Sequence, residues 1–212
     1  MMTDEFLIWK KDIETLLKNT MDFDTAHDIS HINRVTQTGI NLGRIEQANL
    51  NIIYPACMLH DCVNVPKDSP LRKQGSTLSA DKAISLLQQI QYPTHLLEGI
   101  HHAIAAHSFS ANIQTTTIEA KVVQDADRLD ALGAIGLSRC LMLGGKWESA
   151  LYHPDDPLAQ SRTLDDKKYC IDHFFTKLKT LPQTMKTDSG RNEAEKRWRF
   201  IECYIEQLGR EI

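Results

Sequence analysis

The sequence predicts an all-α chain, and three observations carry that prediction. Apolar side chains recur at helical spacing along almost all of the 212 residues. No pair of alternating apolar–polar runs reads as neighbouring strands, and there is no internal repeat or low-complexity linker. A hydrophobic content of 42% over this length is enough for one domain with its own core, so residues 1–212 read as a single helical bundle.

The elements follow in order. Phe6, Trp9, Ile13, Leu16 and Leu17 form a first apolar stripe. A second helix starts near Ala26 and carries Ile29, Ile32, Val35, Ile40 and Leu42. A third starts near Leu50 and runs through Ile53, Ala56 and Leu59 into the pair His60-Asp61. Pro66 and Pro70 break the loop that follows, after which Ser76 or Thr77 caps a helix holding Ala80, Ile84 and Leu87. Pro93 occupies a first-turn position ahead of Leu96, Leu97, Ile100 and Ile104. Residues 109–116 read as a loop or short extended segment, and 119–139 as long helical sequence with a break near Gly133. Residues 146–164, with Trp147, Pro154 and Pro157, read as a surface excursion. Helices over 164–181 and 189–209 complete the chain, the last capped by Asp188 or Ser189.

Charge and cysteine usage exclude several function classes. The net charge is −4 with both signs mixed along the chain, so no basic field favours duplex nucleic acid. A locally positive pocket for a small anion is compatible with that balance. The five cysteines are dispersed, odd in number and without a CxxC pair, which argues against a disulfide framework or a cysteine-rich zinc site. Reduced, mostly buried thiols in a cytoplasmic protein are the expectation. The N-terminal residues are amphipathic and carry acids, unlike a signal peptide, and no apolar run approaches the roughly 20 residues of a membrane span.

The residues suited to chemistry are His31, the doublet His60-Asp61, and Asp127. Two imidazoles and two carboxylates suit a divalent cation that keeps positions open for water and substrate. His27 and His31 are four apart and share a helical face, although a polar helix N-terminus accounts for the same residues. His60-Asp61 ends an apolar helix, where a lone charge would need a partner. In the run from Val122 to Asp130, the apolar side is Val122, Val123, Ala126 and Leu129. Asp127 and Asp130 share a face, and Asp125 is displaced from it. Asp127 is the favoured ligand, with Asp130 behind it or acting as base; a solvated acidic cluster is the plain alternative. His101, His102 and His107 could bind a second metal or a phosphate, or simply form an exposed helix end. Lys67, Arg72 and Lys73 precede a helix start and could hold an anion, as could His173 and Lys177, which are four apart.

His31, His60-Asp61 and Asp127 in this order resemble the HD superfamily of metal-dependent phosphohydrolases. The likeness extends to small stand-alone bacterial HD proteins of the YedJ and YpgQ type. It is close over residues 102–110, 124–137 and 164–187, and covers roughly residues 25–205. The resemblance implies an all-α HD bundle, one HD domain over 1–212, with a central divalent metal on His31, His60, Asp61 and Asp127. Manganese, magnesium, iron, cobalt or nickel, one per site, are the metals it implies. The implied substrate is a small phosphorylated compound, a nucleotide, and the YpgQ type implies release of pyrophosphate from nucleoside triphosphates. One position departs from the pattern: some HD nucleotidases carry a catalytic glutamate where this chain has Asn64. Proton transfer then falls to Asp130, His27 or a metal-bound hydroxide. Lys67, Arg72, His102, His107, His173 and Lys177 are the expected phosphate-binding groups.

Two competing expectations stand beside the hydrolase. One is a metal-holding nucleotide or phosphate sensor without turnover. The other is a di-iron oxygenase, which would need His102 and His107 as further ligands. A homodimer through the Trp147 excursion, or through the last helix with Trp198, Phe200 and Ile201, is a further expectation; core packing explains the same residues.

Overall fold

In the computed structural model, which describes residues 6–20, 29–65, 69–108 and 111–212, the N-terminal part of the chain is built around one short, strongly apolar helix. This helix, α3 (Leu50–Leu59), buries every residue from Ile53 to Leu59. Asn49 caps it: the side-chain oxygen accepts the Asn51 N–H at 3.0 Å. Pro55 lies inside the helix and has no N–H for the Asn51 carbonyl. The Tyr92 hydroxyl donates to that carbonyl instead, at 2.6 Å, so the helix tolerates its proline.

The chain forms two compact units, Met1–Asp127 and Arg128–Ile212. In the first, α1 (Phe6–Thr20), α2 (Ile29–Ile45), α4 (Gly75–Gln89) and α5 (Thr94–Ala105) pack on α3, and α4 packs on α5. The α2–α3 approach depends on glycine, because a Cβ at Gly39 would stand 2.6 Å from the Cys57 sulfur. α6 (Ile118–Leu129) closes this unit; the Glu119 carboxylate accepts the Asn49 amide at 3.0 Å.

In the second unit, α7 (Gly133–Lys146) packs against α10 (Asp188–Glu211). Gly133 has φ +70°, which explains the break between α6 and α7. Between them in sequence lie the short helices α8 (Asp172–Thr176) and α9 (Leu181–Thr184) and a 3₁₀ turn, Leu178–Thr180. Phe174, Ile171 and Ile201 are fully buried in this unit's core.

Several sequence expectations are corrected. Residues 164–171 are not helical: Cys170 N–H donates to the Ala150 carbonyl at 2.9 Å, forming an isolated bridge between Ala150 and Tyr169. α8 ends at Thr176 with Lys177 as its C-cap, and the Lys177 N–H donates to the His173 carbonyl at 3.1 Å. Neither Ser76 nor Thr77 caps α4: a 3₁₀ turn, Arg72–Gln74, runs into it, and buried Ser76 donates to the Ala105 carbonyl at 2.9 Å. Thr187, rather than Asp188 or Ser189, caps α10 by accepting the Gly190 N–H at 3.0 Å. Pro93 is the N-cap of α5 rather than its first helical residue. Among the described residues no strand forms, and no helix is long and apolar enough to cross a membrane. Cys57, Cys62 and Cys170 are buried free thiols, Cys140 is half-buried and Cys203 is exposed; burial pushes Cys62 up to about 12.

Candidate metal centre

Four helices of the first unit deliver side chains to one place. α2 brings His31 in its first turn. α3 ends on His60, with Asp61 next. α5 leads into His107, and α6 carries Asp127. His31, His60 and His107 are buried, while the Asp61 and Asp127 side chains keep about a third of their exposure, at 32% and 28%.

The facing atoms are three imidazole Nε2 nitrogens and the carboxylate oxygens. His31 Nε2 lies 3.5 Å from Asp127 Oδ1, and His60 Nε2 lies 3.9 Å from the same oxygen. Asp61 spans two histidines, with Oδ2 at 3.6 Å from His60 Nε2 and Oδ1 at 3.6 Å from His107 Nε2. These atoms form two groups, His31–His60–Asp127 and His60–Asp61–His107, each with its candidate ligand atoms within 4.8 Å of one another. Two donors each about 2.1 Å from a tetrahedral ion lie roughly 3.4 Å apart, so spacings of this kind suit donors around a common cation.

Two hydrogen bonds set the tautomers. A carbonyl only accepts, so His60 Nδ1–H donates to Cys57 O at 2.8 Å and His107 Nδ1–H donates to Ile104 O at 2.6 Å. In the neutral ring Nε2 is then the lone-pair nitrogen, the arrangement that metal-binding histidines use. His60 Nε2 is buried and has no hydrogen-bond partner. That orphaned acceptor, facing two carboxylates, fits a bound cation.

The electrostatics differ from one ligand to the next. Burial lowers the pKa of His60, the largest influence on it, and keeps the ligating neutral form. Burial opposes ionisation of Asp127, but the His31 hydrogen bond and the neighbouring imidazoles outweigh it and lower its pKa. For His107 burial again opposes charge, and the Asp61 and Asp127 carboxylates outweigh it, so its pKa rises.

The structure therefore brings together His31, His60, Asp61 and Asp127, and adds His107, which sequence reasoning offered either to a second metal or to phosphate. A signal for His107 exists in the sequence: it ends the apolar run Ala103-Ile104-Ala105-Ala106 just as His60 ends Cys57-Met58-Leu59. Asp125, which the sequence places off the Asp127–Asp130 face, is completely buried.

The remaining predicted residues among those described have contacts of their own. His102 Nε2 accepts the Thr116 amide at 3.1 Å. The Arg72 guanidinium donates to the Val65 carbonyl at 2.7 Å. In the second unit, Asp130 is buried and ion-paired with Arg139, His173 Nδ1 meets Asp166 at 3.1 Å, and Lys177 is exposed. Asn64 is exposed in the loop after α3. His27 and Lys67 lie outside the described residues.

Comparison with known proteins identifies the family. The family model for the HD domain matches residues 28–132. The chain is 31% identical over 195 residues to the uncharacterized protein YpgQ of Bacillus subtilis, covering 90% of this chain and 87% of that protein. The crystal structure of Bacillus subtilis YpgQ in complex with ADP superposes with a TM-score of 0.74 at 32% identity, covering 96% of each chain. An HD-superfamily hydrolase from Bacillus thuringiensis gives a TM-score of 0.75 at 33% identity, covering 99% of this chain and 98% of that one. The chain belongs to the HD superfamily of metal-dependent phosphohydrolases.

Proposed function

We propose that this protein hydrolyses a nucleotide, with a nucleoside triphosphate cleaved to release pyrophosphate as the leading substrate reading. The observation that carries the metal-dependent part is the orphaned Nε2 of buried His60, facing Asp61 and Asp127. The ADP held by the YpgQ crystal supports a nucleotide as ligand, and the Bacillus thuringiensis relative supports hydrolysis as the reaction.

His31, His60, Asp61 and Asp127 would hold the divalent cation, with His107 Nε2 as the further donor on Asp61's side. One cation is the reading, because His60 has a single lone pair for both groups of ligands. Such a cation supplies Lewis acidity to a phosphoryl oxygen and lowers the pKa of a coordinated water. Manganese, magnesium, iron, cobalt and nickel all remain candidates for it. The Asp61 and Asp127 side chains are part-exposed, which supports access of substrate to the centre.

Lys67, Arg72, His102, His173 and Lys177 are proposed to neutralise substrate phosphates, and His27 and Asp130 to serve proton transfer. Of these, Asp130 is the weakest base candidate, because an arginine already occupies one of its oxygens. The units together act as one HD-domain protein in this reading, cytoplasmic and free of membrane. A homodimer would use the exposed Trp147 or Phe200, and sedimentation tests it.

Asn64 favours a second reading, a nucleotide sensor that holds metal without turnover. The di-iron reading is disfavoured because His102 Nε2 is already used by Thr116. The deciding experiment measures bound metal, then screens nucleotides with added manganese, magnesium, cobalt and nickel for phosphate and pyrophosphate release. Release abolished by Asp61→Ala supports the hydrolase. Tight nucleotide binding with no release supports the sensor.

A further inference from the structure

The last carbonyls of a helix have no partner within it. At the end of α5 three consecutive carbonyls are satisfied by three different side chains. Ile104 O accepts His107 Nδ1–H at 2.6 Å, Ala105 O accepts the Ser76 hydroxyl at 2.9 Å, and Ala106 O accepts Gln124 Nε2 at 2.7 Å. Ser76 comes from α4 and Gln124 from α6, and both are buried, at 5% and 3% exposure. Gln124 stands three residues before Asp127, on the same face of α6. Its amide therefore ties the peptide next to His107 to the helix that carries Asp127.

The other half of that amide sharpens the point. Gln124 Oε1 is buried with no hydrogen-bond partner. A buried acceptor left unpaired is unfavourable, and an apolar residue of similar volume would avoid it. The nitrogen's bond to Ala106 is the use for a glutamine that these contacts display.

We infer that Gln124, assisted by Ser76, is a positioning residue that aims His107 Nε2 at Asp61 and the cation centre. This rests on the reading of the centre given above, with His107 as part of it. Residues that orient metal ligands typically change metal affinity by roughly 10–100-fold when removed.

The test titrates purified full-length protein with Mn²⁺, reading affinity by calorimetry and fold by circular dichroism. Gln124→Met keeps the volume and removes the donor, and should weaken Mn²⁺ binding by roughly 10-fold. Placed on His107→Ala, it should cause no further loss, because the side chain it aims is gone. An equal 10-fold loss in both backgrounds would show a general structural role and overturn the inference. Unchanged affinity in His107→Ala alone would remove His107 from the centre and overturn the inference with it, while leaving the four-ligand reading standing. If Gln124→Met fails to fold, Ser76→Ala carries the same cycle, with a smaller loss that must likewise vanish in the His107→Ala background.

Discussion

Each unit buries a cluster of ionisable side chains, and the two clusters are finished in opposite ways. In the second unit Asp172 is fully buried and accepts two Arg162 hydrogen bonds, at 2.6 and 2.7 Å, and the Asp165 amide at 2.6 Å. Arg162 also donates to the Asp156 carbonyl and lies over the Tyr169 ring, 4.8 Å from its centroid. In the first unit, three imidazoles stand edge to face, with centroids 5.4 and 5.0 Å apart, around carboxylates 3.5 to 3.9 Å away. His60 Nε2 among them has no hydrogen bond. A network closed by its own hydrogen bonds holds a fold together. One that leaves a buried lone pair open is arranged for something the chain does not itself supply.

The comparison breaks first at the ligands. Asp61→Ala or His60→Ala should lower metal affinity by more than the roughly 100-fold that an outer partner can cost, and should abolish metal-dependent phosphate release. Metal analysis after gel filtration reads the first effect and a phosphate assay the second. Retention of stoichiometric metal by both variants would sink the assignment.

The closed cluster should respond in stability rather than in metal. Asp172→Ala removes one partner of a buried ion pair, a change that costs on the order of 3 kcal/mol. For a chain of this length that lowers Tm by roughly 6–12 °C. Thermal melts check it, and a change under about 2 °C would mean that the pair is not the anchor of its loop.

Metal sharpens the contrast in the other direction. At a free concentration 100 times its dissociation constant, a bound cation stabilises by about 2.7 kcal/mol. Mn²⁺ should therefore raise the Tm of the natural protein and leave that of His60→Leu unmoved. Without metal, His60→Leu should fall within about 2 kcal/mol of the natural protein, because removing an unsatisfied buried nitrogen offsets the lost Cys57 hydrogen bond.

What the sequence could reveal follows the same division. His60, Asp61 and Asp127 are legible because they sit at the end of an apolar helix or on an amphipathic one, whose periods are local. His107 carried the same signal but was read with its histidine neighbours as a ligand for a second metal or for phosphate. The helix expected over 164–181 failed for a different reason. Its apolar spacing is real, but the partners that set its conformation, Ala150 across the bridge and Arg162 on Asp172, are distant in sequence or hidden in an apparent surface loop. The Ser76–Thr77 cap failed because a 3₁₀ turn feeds α4 directly, with the Gly75 N–H bonded to Arg72 O. Propensity sees the capping residue and not the turn before it.

The smallest effect concerns Asp156, at the edge of the closed cluster. Its carboxylate accepts the amides of Gln160, Ser161 and Arg162, at 2.8, 2.8 and 3.1 Å, and the Ser161 hydroxyl at 3.0 Å. These bonds, led by the Ser161 and Gln160 amides, hold its pKa down at about 2. A carboxyl depressed in the folded state stabilises fully above its unfolded value of about 3.9 and loses that contribution as pH falls through the folded value. The natural protein should therefore lose this increment between about pH 4 and about pH 2. Asp156→Asn, which has no charge to lose, should start slightly less stable at pH 7 and show a flatter acid limb. Melting curves at stepped pH read the difference, and parallel limbs for the two proteins would show that the three amides bind the loop without help from the charge.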